Sequence, residues 1–486
     1  MELRAVISGI EGLKAKGTLD LDITSVESDS RKITKNSLFV AIVGFETDGH
    51  KFIKQAIENG AVAIMIQEGA KLNKQDITDD VTIIMAPDTR IAAAKIACNF
   101  YKNPSKKMKM IGVTGTKGKT TTTFMIKAIL EAQGKKVGLV GTVANYIGSK
   151  SLGESSRTTP DALELQKLFS KMVEENVDCV VMEVSSQALK LHRVDGIDFD
   201  IGIFTNFSED HISANEHPDM EDYFNSKLKL IKSSKISYIN ADDFRVSKIK
   251  KLLPDKDIKS FGIDNEADLI AKDITITNSS VDFKVKIDGK NERIKTGIPG
   301  RFSVYNSLAA ICVATKLGAN AEVIKEALLN VRVPGRSELV DNKKGLTIMI
   351  DYAHSPESLQ SILSAVKSYT RGKVIVVFGC GGDRDKSKRP IMGQIATNIA
   401  DFTIITSDNP RTEDPNQIIK EIEEGAKQSK GKYKTIVNRT EAIKYAVEMA
   451  TKNDIIVLAG KGHETYQEIN GIKKHYDERE IIKEVT

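Results

Sequence analysis

A chain of 486 residues is long enough for two to four domains, each with its own core. Charge is nearly balanced, 71 Lys and Arg against 66 Asp and Glu for a net of +5, and 40% of residues are apolar. That composition gives no footing to nucleic acid or a membrane surface as the principal partner.

Four cysteines (Cys98, Cys179, Cys312, Cys380) lie far apart with no CxxC spacing, which suggests neither a zinc module nor a disulfide framework. Cys179 and Cys380 fall in apolar runs and read as inert core thiols. The N-terminus (MELRAVISGIEGLK) has no sustained apolar stretch, and no run approaches the roughly 18 residues of a membrane span. A cytoplasmic protein is expected.

In the first hundred residues, 37–43 (SLFVAIV) and 61–67 (AVAIMIQ) predict strands, with a helix over 50–59 between them. The polar stretch 102–107 (KNPSKK) breaks the pattern and reads as a linker. An apolar run at Met108, Met110, Ile111 and Val113 then leads into 112–122, GVTGTKGKTTT, and a helix from about Thr120. Strand, glycine turn and helix in that order aim backbone N–H groups and a helix N-terminus at a phosphate chain.

Lys119 would add a point charge on the terminal phosphates, and the Thr120 hydroxyl would ligate Mg²⁺. Gly115, Thr116, Lys117, Gly118 and Thr121 complete the expected cradle. Five residues rather than four separate Gly112 from Gly118, a departure from a strict GxxxxGK[ST] loop. A Gly/Thr-rich surface turn is the plain alternative, but it does not account for GKTTT directly after a strand. The expected ligand is a nucleoside triphosphate.

Further strands are predicted at 137–143, 179–184, 201–206 and 236–240, alternating with helices, and that alternation predicts a doubly wound parallel sheet. Between Leu269 and Ile294 the period changes to two (Val281, Phe283, Val285, Ile287), which predicts an antiparallel appendage. After a break at 331–336 (VRVPGR), a second β/α series begins with 346–352, 374–379, 402–406 and 455–459. Each of its strands ends in a polar cluster: DYAH, GCGGDR, SDNPR and AGKGHE. Ligands of open α/β sheets gather at such strand ends, so this series predicts a second site. The basic cluster 384–389 (RDKSKR) suits small anionic substrates or solvent.

The expected fold is α/β in three domains. A small N-terminal α/β domain spans 1–103, a central P-loop domain with a doubly wound parallel sheet spans 104–334, and a C-terminal Rossmann-like domain spans 335–486.

Within 180–186 (VVMEVSS) a strand ends in Glu183, the expected second Mg²⁺ anchor of a P-loop domain, with a solvent-facing glutamate as the bland alternative. The next strand ends in 205–211 (TNFSEDH), where His211 beside the triphosphate could hold a second Mg²⁺. No Ser-His-Asp or Cys-His nucleophile arrangement is evident. The residues therefore point to phosphoryl transfer, with ATP activating one small substrate for attack by another. A P-loop ATPase doing conformational work and a nucleotide sensor without catalysis are the alternatives of a different class.

GVTGTKGKTTT, EVSS, SEDH, PGR, DYAH, GCGGDRDKSKR, DNPRTEDP and AGKGHE occur in the order found in the Mur ligases, which this chain resembles from SDSR (28–31) to its C-terminal region. The resemblance implies UDP-substrate, ATP and amino-acid binding by the three domains in turn. It also implies that ATP converts a substrate carboxylate into an acyl phosphate, which an amine intercepts in peptidoglycan synthesis.

On this basis Lys119, Lys227 and His211 are catalytic, and the metal ligands are Thr120, Glu183, His211 and Lys227 as a CO₂-derived carbamate. From its residues alone, Lys227 reads as a solvated helix lysine. The resemblance assigns Asn306, Arg336 and Asp351 to ATP, although Ser303 in GRFSVYN stands where the family often has Asn. Ser30, Thr158, Thr159, Ser185 and Arg193 go to the UDP-linked muramoyl dipeptide. Arg384, Asp408, Asn409, Pro410, Arg411, Gly460 and Glu464 go to meso-diaminopimelate, with Arg411 favouring it over lysine by binding the distal carboxylate. A lysine-adding ligase of the same step and a folylpolyglutamate synthetase-like ligase are the alternatives within this class. The implied partners are these small molecules and ATP, with no nucleic acid or membrane, and a monomer is expected.

Overall fold

The computed structural model describes residues 1–486 apart from 46, 72–77, 79, 156, 211 and 214–215. The chain is α/β throughout and forms two compact units, residues 1–268 with 312–316, and 269–311 with 317–486.

Among the described residues, the first unit carries two sheets. In the N-terminal sheet the strands run Lys14–Lys16, Thr82–Ala86, Ala61–Gln67, Ser37–Val40 and Ser25–Glu27 in spatial order, parallel except at the Lys14–Lys16 edge. Helix Thr89–Phe100 covers this sheet with Ala92, Ala93, Ile96 and Ala97, and Asp88 caps its first turn. Pro104–Lys107 forms a 3₁₀ turn with Pro104 and Ser105 buried.

In the second sheet, Lys109–Thr114 lies centrally. Cys179–Glu183 and Val137–Val140 follow on one side, and Ile201–Phe204, Ile236–Asn240 and Asp257–Gly262 on the other, all parallel. Strands buried on both faces need continuous apolar runs, which MIGV, CVVM and IGIF supply. An antiparallel hairpin, Ala144–Ile147 and Lys150–Glu154, extends the Val137–Val140 edge.

In the second unit, Lys272–Ile276, Val281–Ile287 and Lys290–Thr296 form the antiparallel appendage that the two-residue period predicted. Val281, Phe283, Val285 and Ile287 are all buried. A six-stranded sheet orders Glu338–Leu339, Thr347–Asp351, Ile455–Ala459, Val374–Phe378, Phe402–Ile405 and Tyr433–Thr435, parallel except at the Glu338–Leu339 edge. Apolar clusters pack on both of its faces.

All four cysteines are buried, and burial pushes the Cys179 and Cys380 thiols up to about 12. Among the described residues no helix is long and apolar enough to cross a membrane.

Candidate active site

The central strand Lys109–Thr114 delivers the glycine loop to the sheet's C-terminal edge, and helix Lys119–Ala132 begins at once. Gly118 occupies the position before the helix with φ +85° and offers no capping side chain, so the helix N-terminus faces the loop. Gly115 sits at φ +144°, and a methyl there would run into the Thr205 hydroxyl and lie 3.1 Å from the Asn206 backbone. Asn206 holds the loop on both sides. Its carbonyl accepts from Thr116 N at 2.9 Å, its Oδ1 accepts from Lys117 N at 2.9 Å, and its Nδ2 donates to the Lys117 carbonyl at 3.0 Å.

This packing makes an expected result. Gly115→Ala should lose about 3 kcal/mol of stability through clash and backbone strain. It should also lose the thermal stabilisation that ATP gives the wild type, measured by melting with and without nucleotide. A variant that melts and responds to ATP like the wild type would show that the loop is not the phosphate cradle.

Glu183 ends the neighbouring strand, only 1% exposed, and collects hard oxygen and nitrogen donors. The Thr120 hydroxyl donates to its Oε2 at 3.0 Å, Thr142 N donates to its Oε1 at 2.9 Å, and the Thr142 hydroxyl donates to its Oε2 at 3.1 Å. Thr142 follows strand Val137–Val140, so it reaches the site by the same strand-end geometry. The sequence reading did not single it out.

Lys227 projects from helix Met220–Ser233 into the interior, 1% exposed, and donates to the Gly115 carbonyl at 2.8 Å over the face of Tyr223 at 4.4 Å. Lys119 donates to that same carbonyl at 2.9 Å. Burial first, and then the Lys119 charge, push the Lys227 amine well below the ordinary lysine range. Tyr223 ties the helix to the loop through the Thr116 hydroxyl at 3.2 Å. His211 lies outside the described residues. Among those described, no three His, Cys, Asp or Glu side chains form a cluster that could hold a metal ion.

The residues expected to bind the UDP-linked substrate form a chain of hydrogen bonds leading from Glu183. Thr142 and Thr158 hydroxyls are 3.0 Å apart, Thr159 donates to the Glu183 carbonyl at 2.9 Å, and Ser185 N donates to Thr159 Oγ1 at 3.1 Å. Arg193 donates to the Thr159 carbonyl at 3.1 Å and pairs with Asp161 at 3.0 Å. Arg193, Asp161, Arg90, His192 and Ser28 line one cleft. Ser30 sits apart in the 3₁₀ turn Ser30–Lys32, with its hydroxyl donating to Gln55 Oε1 at 2.7 Å.

Within the second unit, the loops after Phe402–Ile405 and Ile455–Ala459 meet. Asn409 Nδ2 donates to Glu464 Oε2 at 2.8 Å, while Lys461, fully buried, donates to Asn409 Oδ1 at 3.0 Å. Arg411 has φ +50° and donates from Nη1 to the Gly382 carbonyl at 2.7 Å. Asp408 is buried against Gly460, and the Arg439 guanidinium lies 3.8 Å from its Oδ2. Arg439 is itself held by Glu478 at 2.8 Å and donates to the Ala459 carbonyl at 3.0 Å.

Arg384 is exposed on the adjoining 379–384 turn, and Pro410 is buried between Asn409 and Arg411. Asp351 accepts from Ser337 N at 2.8 Å and Ala353 N at 3.0 Å, and its burial raises its carboxyl above the usual range. Arg336 lies over the Tyr352 ring at 4.6 Å, and Asn306 is buried on helix Arg301–Lys316. Lys461 and Arg439 escaped the sequence reading. Lys461 stands inside the AGKGHE cluster, so its signal was in view, whereas nothing in the sequence around Arg439 marked it.

Three family models match the chain. They are the Mur ligase family catalytic domain over residues 22–101, the Mur ligase middle domain over 113–314, and the Mur ligase glutamate ligase domain over 335–462. A UDP-N-acetylmuramoyl-L-alanyl-D-glutamate--2,6-diaminopimelate ligase of Caldanaerobacter subterraneus subsp. tengcongensis is 49% identical over 488 residues, covering 100% of this chain and 99% of its own. Its namesake from Clostridium botulinum is 47% identical, covering 96% of this chain and 95% of its own. A solved structure of a ligase of the same name superposes with a TM-score of 0.71 at 28% identity, covering 100% of this chain and 98% of that one.

Proposed function

The chain belongs to the Mur ligase family, and from that premise we propose that it is an ATP-dependent amide-forming ligase of peptidoglycan synthesis. It adds meso-2,6-diaminopimelate to UDP-N-acetylmuramoyl-L-alanyl-D-glutamate, the step named for its full-length relatives. The γ-phosphate of ATP passes to the glutamyl carboxylate and leaves as inorganic phosphate when the amine of diaminopimelate attacks, so one amide forms and ADP and phosphate are released. A free carboxylate is a poor acyl donor because oxide would have to leave; phosphorylation supplies a competent leaving group. The nucleotide-linked substrates put the reaction in the cytoplasm.

In this reading the glycine loop and Lys119 bind and orient the triphosphate through backbone N–H groups and one cation. Mg²⁺ suits the oxygen donors of Thr120 and Glu183, a hard set that Thr142 orients. Lys227 also fits the carbamate role, because burial and the Lys119 charge favour the neutral amine, the form that combines with CO₂. Lys227 as carbamate, together with His211, would hold a second ion. Mg²⁺ held by these residues would supply positive charge against the phosphate that repels the attacking carboxylate. The family resemblance assigns Arg336, Asp351 and Asn306 to ATP as well. The hydroxyls of Thr158, Thr159 and Ser185 with Arg193 suit the diphosphate and carboxylates of the muramoyl dipeptide.

The observation that carries the choice of amine is the meeting of the 408–411 and 459–464 loops, which brings the amide of Asn409 onto the carboxylate of Glu464 beside Arg411. Arginine for a distal carboxylate and glutamate for a distal ammonium match a diamino diacid and leave lysine one partner short. Incubation with ATP, the UDP-linked dipeptide and a mixed pool of amino acids tests the reading by product mass. The expected product carries diaminopimelate, and ¹⁸O placed in the glutamyl carboxyl reappears in phosphate. A lysine adduct, or ATP hydrolysis without any adduct, would overturn it.

A further inference from the structure

We propose that Lys461 is a positioning residue for diamino-acid recognition, fixing the Asn409 amide and leaving one Glu464 oxygen for the incoming distal ammonium. The inference rests on the function proposed above. Lys461 is 0% exposed, at the centre of the loop whose flanking residues, Gly460 and Glu464, belong to the expected site. Its ammonium lies 3.0 Å from Asn409 Oδ1 and 3.4 Å from Glu464 Oε2, with the rings of Tyr466 and Tyr476 at 5.7 and 5.9 Å.

Two donors converge on Asn409 Oδ1, since Glu468 N also donates to it at 3.0 Å. A flipped amide would turn its NH₂ toward an ammonium and a backbone N–H, so the orientation is locked. In that orientation Nδ2 spends one hydrogen on Glu464 Oε2 and keeps the other for a ligand acceptor. Glu464 Oε2 is thereby engaged by Asn409 and Lys461 together, and Oε1 remains for a cation.

The same ammonium also favours the ionised form of Glu464. Burial raises this carboxyl, Asp408 raises it further, and Lys461 and Asn409 oppose them, with Tyr352 also facing the group. Only the ionised carboxylate attracts an ammonium, so binding of the diamino acid weakens as pH falls through the Glu464 titration. Removing the Lys461 charge moves that titration to higher pH.

The test compares Lys461→Met with the wild type under steady-state conditions. KM for diaminopimelate should rise about 50-fold, as for a buried charge pair cut at one partner. kcat and the KM values for ATP and the UDP-linked dipeptide should stay within about twofold. The acid limb of kcat/KM for diaminopimelate should move up by about one pH unit. Lys461→Gln, which keeps a donor without charge, should restore much of KM at high pH but not the limb, and it serves if the Met variant does not fold. In a Glu464→Gln background the Lys461 substitution should add no pH shift. An unmoved acid limb in both Lys461 variants, or equal changes in all three KM values, would overturn the proposal. Wild-type protein that does not use diaminopimelate at all would instead refute the underlying function.

Discussion

Lys227→Ala should lower kcat by about 10³-fold, the scale of removing a buried electrostatic group from a phosphoryl-transfer site. Formate or acetate should restore part of the loss by standing in for the missing carbamate carboxylate. Lys227→Arg keeps a cation of similar reach but is never neutral, so it should be as inactive as the alanine variant and not respond to formate. Enzyme equilibrated with ¹³CO₂ should show a carbamate carbonyl resonance by NMR that both variants lack. The physical basis is the pairing of Lys119 and Lys227 on a single carbonyl, that of Gly115, with Lys227 only 1% exposed. Two ammonium groups cannot share that acceptor comfortably, and burial followed by the Lys119 charge pushes the Lys227 amine well below the ordinary lysine range.

A second consequence has the opposite sign. The folded pKa of Lys227 lies below its unfolded value, so the unfolded chain binds the extra proton between the two and stability rises with pH across that window. Lys227→Met removes this cost and should raise the melting temperature while abolishing turnover. Near-normal kcat in Lys227→Ala would remove the carbamate assignment altogether.

Much of the architecture was legible because it rests on short-range signals. The runs at 61–67, 236–240 and 455–459 became the strands Ala61–Gln67, Ile236–Asn240 and Ile455–Ala459, and the change of period near Val281 marked a three-stranded antiparallel sheet. Short runs rich in β-branched residues and bounded by polar clusters leave little choice of element. Glu183 and Thr120 were legible for the same reason, since a strand end and a helix start fix where such side chains can go.

Lys227 shows the limit of that reasoning. Judged as a lysine it belongs in solvent, yet Tyr223, Phe224, Lys227, Leu228 and Ile231 recur at three- and four-residue spacing, and all are buried on helix Met220–Ser233. The periodicity held the signal, and the residue type outweighed it. Lys461 and Arg439 are harder cases. Their partners, Asn409 and Glu464 for one and Glu478, Asp408 and Ala459 for the other, converge from separated loops and helices, so only the folded chain brings them together.

Arg411→Ala should raise KM for diaminopimelate about 100-fold, roughly the 3 kcal/mol of a carboxylate left without its guanidinium, and should narrow the preference for diaminopimelate over lysine by a similar factor. The structure gives a reason to expect so much from one side chain. Arg411 is tethered through its backbone on both sides, donating from N to the Glu468 carbonyl at 3.1 Å and accepting from Asn470 N at 2.7 Å. Its guanidinium is steadied by the Gly382 carbonyl at 2.7 Å and by Glu468 at 3.5 Å. A methyl at Gly381 would lie only 2.9 Å from its Nη1, so the loop keeps that approach open. A guanidinium held this way loses little freedom on binding, which is what makes its removal costly.

Arg411→Lys should not recover the affinity, because a point charge lacks the planar fork that engages both carboxylate oxygens. Backbone and side-chain contributions separate cleanly at this position. The φ of +50° already strains any residue except glycine, so Arg411→Gly should be about 1 kcal/mol more stable than Arg411→Ala while losing the same affinity. Competition between the two amino acids, with the melting temperatures of all three variants, decides the matter. If Arg411→Ala still discriminates against lysine as strongly as the wild type, the selectivity lies elsewhere in the 379–384 and 459–464 loops.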